Sequence, residues 1–113
     1  RKALVVDDEE LILWFLQRAL QKHGYIVETA RNIKEAYDRV SKEKFDIIFT
    51  TADAWGNGTE LLAGMSEITQ KAKVIVCSAF VNPELAELFK DRGIGILRKP
   101  FRLDELEEFL KSA

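Results

Sequence analysis

The chain has 113 residues, 47% hydrophobic and 32% charged, and its 17 Lys+Arg against 19 Asp+Glu leave a formal net charge of −2. That is enough apolar material for one filled core and too little for two, so a single domain over 1–113 is expected. The near balance of charge leaves no basic footprint for direct nucleic-acid binding, and no apolar run approaches the ~20 residues of a membrane span. One cysteine, Cys77, rules out an internal disulfide and a cysteine-based metal cluster. The chain opens on Arg1-Lys2 and a short apolar run with no small-residue cleavage site, which argues against a signal peptide and for a cytoplasmic protein. Arg1 is not a start residue, so the expectation is a piece trimmed from something longer.

Residues 3–6 form a β-rich apolar run that stops at Asp7-Asp8-Glu9-Glu10. From there to His23, Ile12, Leu16, Ala19 and Leu20 recur at helical spacing, and Gly24 is a natural stop. Residues 25–30 read as a second strand, and Asn32 caps a helix with Ile33, Ala36, Tyr37 and Val40 on one face. A third strand, 47–50, leads into a polar, glycine-containing loop over 51–58, and 59–68 has the spacing of a helix. The fourth strand is 74–77. Asn82-Pro83-Glu84 then opens a helix through Leu85, Leu88 and Phe89 that ends at Gly93. Residues 94–97 are the fifth strand and 103–111 the last amphipathic helix.

The pattern is (βα)5, an α/β chain. Its strands are apolar runs rather than alternating ones, which predicts a doubly wound parallel sheet with helices on both faces. In such a sheet the functional crevice lies beyond the carboxyl ends of the strands. Those ends carry Asp7 to Glu10, then Thr51 to Asp53, then Ser78-Ala79, then Lys99-Pro100-Phe101. Paired carboxylates are hard oxygen ligands of the kind Mg²⁺ takes, and a hydroxyl and a lysine opposite them suit the oxygens of a phosphoryl group.

With these residues in place the sequence closely resembles the receiver domain of bacterial response regulators, over nearly its whole length. The resemblance rests on Val5-Val6-Asp7-Asp8-Glu9, Asp46-Ile47-Ile48-Phe49, Gly58-Thr59-Glu60-Leu61, Ser78-Ala79 and Lys99-Pro100-Phe101, in order and at nearly family spacing. It implies a flavodoxin-like strand order of 2-1-3-4-5. It also implies two-component or phosphorelay signalling without an enzymatic activity of its own. Asp7 and Asp8 are then the Mg²⁺ acids, Ser78 the switch hydroxyl and Lys99 the counter-cation, with a salt bridge from Lys99 to Asp8 expected. The implied partners are proteins, a histidine kinase or an output domain. They meet the face built by the fourth helix, fifth strand and fifth helix, 84–111, which is also where a homodimer would form.

The match breaks where the family keeps its phosphoacceptor aspartate. Counted forward from Asp46 that position is Thr51; counted back from Gly58 it is Thr50, because the loop is one residue short. A threonine hydroxyl is neither ionised nor an anionic metal ligand, so Mg²⁺ binding should be weakened. Asp53 is the candidate substitute acceptor, displaced by about 6–7 Å if the chain stays extended. The strand-five position that usually holds Tyr or Phe is Ile96, although Phe80 and Phe101 are near in sequence. The expected result is a degenerate receiver acting by protein–protein contact.

Other residues have plainer readings. Cys77 in an apolar strand is a buried, inert thiol, and His23 a helix C-terminal dipole partner. Adjacent Trp14 and Phe15 cannot both face the core, and Trp55 sits in the rim loop. Asp104, Glu105, Glu107 and Glu108 form an acidic face opposite Leu103, Leu106 and Leu110. A flavodoxin-like flavin binder is the competing class, but it needs a phosphate-cradling loop after strand one, where four acids stand.

Overall fold

Leu4, Val5 and Val6, then Ile47, Ile48 and Phe49, then Val74, Ile75 and Val76 are apolar on both sides of their strands. Such strands leave water only if helices cover the sheet from above and below. The computed structural model, which describes residues 1–51 and 72–111, has this arrangement. Its strands are β1 (Lys2–Val6), β2 (Ile26–Ala30), β3 (Ile47–Thr51), β4 (Lys73–Ser78) and β5 (Gly95–Arg98). All pair in parallel in the order β2-β1-β3-β4-β5, as expected. The described helices are α1 (Glu10–Lys22), α2 (Ile33–Lys42), α3 (Pro83–Asp91) and α4 (Leu103–Lys111). The expected helix over 59–68 lies outside the described residues, as do Asp53 and Trp55.

Alternation along the strands divides the core in two. Ala3, Val5, Ile47, Phe49, Ile75, Cys77 and Leu97 face α1 and α4, which bring Leu13, Leu16, Ala19, Leu20, Leu106 and Leu110. Leu4, Val6, Ile48, Val74 and Val76 face the other way, against Ala36 of α2 and Phe89 of α3, with Ile33, Tyr37, Val40 and Leu85 at the margins. On α1 the deep position is Leu13 rather than Ile12, which is half-buried. Leu103 departs from expectation, being 41% exposed at the start of α4 instead of packing with Leu106 and Leu110.

Local chemistry sets the helix ends. Asn32 and Asn82 each turn a side-chain oxygen onto a backbone N–H three residues on, Glu35 at 2.9 Å and Leu85 at 2.8 Å. Pro83 at the first turn of α3 gives up an N–H that had no helical partner. Gly24 (φ 87°) and Gly93 (φ 73°) follow α1 and α3 in the left-handed region, which lets the chain turn straight into the next strand. A methyl group at Gly95 would lie 2.6 Å from Phe109 Cε1, so the bare glycine lets α4 settle onto β5.

Leu106 is fully buried and anchors α4 to the sheet. Leu106→Ala is expected to lower unfolding free energy by about 2–5 kcal/mol, measured by urea titration, with α4 the first element to lose amide protection.

Candidate functional site

Register brings the strand ends to one edge. Val6 lies beside Thr50, Thr51 beside Cys77, and Ser78 beside Arg98. Two backbone bonds carry the pattern one residue further: the Asp7 N–H donates to Ala30 O at 3.0 Å and the Lys99 N–H to Ser78 O at 2.9 Å. Asp7 and Lys99 thus continue β1 and β5 at the same end of the sheet. The Lys99–Pro100 peptide is cis.

Asp7 is 1% exposed. Its Oδ1 accepts the Glu9 N–H at 3.0 Å and its Oδ2 accepts from Lys99 Nζ at 2.9 Å. Glu9 Oε1 lies 3.9 Å from the same ammonium. The expected Lys99 salt bridge to Asp8 is therefore corrected: Lys99 pairs with Asp7. The reason is steric and dielectric, since Asp7 stays inside at the strand end while Asp8 turns out to water. Burial pushes the Lys99 ammonium toward losing its proton, but the hydrogen bond and charge of Asp7, with help from Glu9, outweigh this and hold its pKa above the ordinary lysine value.

Asp7, Asp8 and Glu9 can each offer a carboxylate oxygen, all within 4.8 Å of one another. Two of the three are exposed, leaving room for the waters Mg²⁺ keeps, so the donor set fits a hard divalent cation. Glu9 was missed as a site residue. Its signal was available, because Glu9 directly follows the Asp7-Asp8 pair and is the N-cap residue of α1.

The hydroxyls at this edge are engaged with backbone. Thr50 and Thr51 are both buried, and Thr50 Oγ1 donates to Thr51 O at 3.2 Å. Ser78 Oγ donates to Phe80 O at 3.0 Å, and the Phe80 side chain stands 70% exposed. Ile96 packs, half-buried, in the α2/α3 half of the core, and Phe101 packs against Phe15 with ring centroids 5.8 Å apart. Cys77 sits buried between Thr51 and Leu97; burial pushes its thiol up to about 12, with Lys99 pulling down and Asp7 pushing up more weakly.

Away from the rim, His23 Nε2 lies 3.0 Å from Glu107 Oε2, so the last residue of the α1 cap is tied to α4. Trp14 is 58% exposed with Arg18 over its ring at 5.3 Å, and Phe15 is the member of that pair turned inward. An open groove of about 670 Å³ runs between α3, β5 and α4, lined by Ala86, Lys90, Ile94, Ile96 and Phe109 among others. It lies within the face expected for partners and away from the carboxylates. Among the described residues no helix is long and apolar enough to cross a membrane.

Comparison with known proteins places these features. The family model for the response regulator receiver domain matches residues 3–111. The chain is 31% identical over 112 residues to sporulation initiation phosphotransferase F of Bacillus subtilis, covering 97% of this chain and 90% of that protein. It is 32% identical to the transcriptional regulatory protein CrdR of Helicobacter pylori, covering 98% of this chain but 54% of that protein. The chain thus spans nearly all of one relative and about half of the other. A response regulator from Thermotoga maritima superposes with a TM-score of 0.83 at 31% identity, covering 98% of this chain and 94% of that one.

The raised pKa values of Cys77 and Lys99 both make folding weaker in alkali. Each group holds its proton longer folded than unfolded, so its contribution is complete below the unfolded pKa and is lost as pH rises toward the folded one. Urea titrations should show stability falling as pH passes from 9.0 toward about 12, the interval set by the Cys77 thiol. Cys77→Ala should make the fall shallower without removing it, because the Lys99 contribution remains.

Proposed function

The chain belongs to the response regulator receiver domain family, and on that premise we propose that it is a signalling module acting through protein contacts, with phosphoryl transfer at the usual strand-three position lost. The observation that carries this reading is Thr51, a buried neutral residue at the end of β3 where a receiver keeps its acceptor carboxylate. An acyl phosphate requires a carboxylate oxygen as nucleophile, oriented by metal. A threonine hydroxyl is protonated at neutral pH and is not an anionic metal ligand.

The rest of the site supports the same reading. Without a strand-three carboxylate the rim carries one negative charge fewer, so Asp7, Asp8 and Glu9 hold Mg²⁺ more weakly than a full set of acids would. Ser78 keeps its hydroxyl on Phe80 O, and Ile96 stands where an aromatic readout is usual. Two coupled parts of a phosphorylation switch are thus replaced in one chain. In this reading the module has no catalytic activity of its own and works in the cytoplasm. Its partner is a histidine kinase or an output domain, as the transcriptional regulator among its relatives suggests. The contact face is the surface of α3, β5 and α4 with its apolar groove, which is also the candidate face for a second copy.

Incubation with Mg²⁺ and acetyl phosphate, followed by intact mass, tests this. The unmodified chain is expected to gain no phosphoryl group under conditions that label Thr51→Asp. A stoichiometric, hydroxylamine-labile phosphoryl group on the unmodified chain, lost in Asp53→Asn, would overturn the reading and make Asp53 the acceptor.

A further inference from the structure

We propose that the outer edge of β5 is a strand-addition site, where a short, extended, acidic segment of a partner protein pairs with the backbone of Ile96 and Arg98. It rests on the contact-face reading above and adds the partner's conformation and charge. β5 (Gly95–Arg98) is an edge strand, paired in the sheet with β4 alone. The Lys99 N–H donates to Ser78 O at 2.9 Å, one residue beyond the pairing of Ser78 with Arg98. Bonding alternates along a strand, so Gly95 and Leu97 also turn their backbone groups to β4. The N–H and C=O of Ile96 and Arg98 therefore point away from the sheet. Such a row of groups is a template for one more strand.

The groove of about 670 Å³ runs along this edge and has room for that strand. Gly93 and Gly95 contribute no side chain to its lining, which keeps the backbone within reach. Ala86 and Ile96 belong to one half of the core and Phe109 to the other, so the groove has an apolar wall on each face of the sheet. An added strand would set alternate side chains against the two walls. A helix would leave the Ile96 and Arg98 groups unmet, because its own backbone bonds are internal. Charge selects the partner. Lys73 and Lys90 line the groove against one acid, Glu87, in a chain whose net charge is −2. Lys90 and Arg98 make no ion pair among the described residues, whereas Lys2, Arg31, Arg39 and Lys99 all do. A symmetric contact between copies would set these cations against their own kind, which favours an acidic segment from another protein.

The test uses the whole chain, amide NMR and an acetylated, amidated octapeptide alternating glutamate and valine, at low ionic strength. Millimolar peptide should slow hydrogen exchange of the Ile96 and Arg98 amides by roughly tenfold or more. Lys90→Glu, an exposed change, should weaken binding by about tenfold, and replacing the peptide's glutamates by lysine should abolish it. The same peptide N-methylated at every residue should not bind, since it can no longer donate to the strand edge. No slowing at Ile96 and Arg98 overturns the proposal, as does equal binding of the N-methylated peptide. Slowing that needs no peptide and grows with protein concentration also overturns it, making the occupant a second copy. Phosphoryl incorporation has no part in these readouts, so failure here is distinct from failure of the preceding reading.

Discussion

A carboxylate at the end of a central, doubly covered strand must be paired, and here the pairing joins the first strand of the sheet to the last. Asp7 and Lys99 are 92 residues apart and 2.9 Å apart in space. Their contact requires β1, β3, β4 and β5 in parallel register, because a slip of one residue on any strand would turn one partner to the other face of the sheet. The ion pair is therefore a product of the whole topology. It is also the feature on which the chemistry of the rim depends, since it decides what charge the exposed acids present to a metal.

In the proposed reading, Thr51 standing where the family keeps a carboxylate changes more than the nucleophile. The rim would then have one anionic metal ligand fewer, while among the described residues Lys99 pairs with Asp7 and Glu9. On that reading both effects weaken metal binding and phosphoryl acceptance together. Ile96 and the Ser78 hydroxyl bonded to Phe80 O fit a domain whose surface, rather than a switching event, carries its information. The apolar groove along α3 and α4 and the exposed Trp14 on α1 lie on different parts of that surface.

Much of the fold was legible because the central strands are apolar on both faces, which only a covered parallel sheet accommodates. Asn32, Asn82, Pro83, Gly24 and Gly93 marked the helix ends through backbone chemistry that needs no tertiary context. Face assignments within helices were less legible: Ile12 and Leu13 are neighbours of similar hydropathy, and the packing of α1 against β1 and β2 chooses between them. Leu103 was read as core because it shares a stripe with Leu106 and Leu110, yet at the first residue of α4 it stays 41% exposed while those two are buried. At the site, the residue types and their convergence were readable, whereas the choice of Asp7 over Asp8 as the lysine partner depends on which acid stays inside the strand end.

The central claim is that Thr51 leaves the rim short of one anionic ligand and leaves Lys99 to Asp7. The most direct measurement is the Mg²⁺ dissociation constant of the unmodified chain against Thr51→Asp, by calorimetry at fixed ionic strength. The added carboxylate should supply a ligand and draw Lys99 from Asp7, tightening Mg²⁺ binding by about tenfold or more. Equal affinities in the two proteins would contradict the account, because the strand-three position would then have no part in setting the charge of the site.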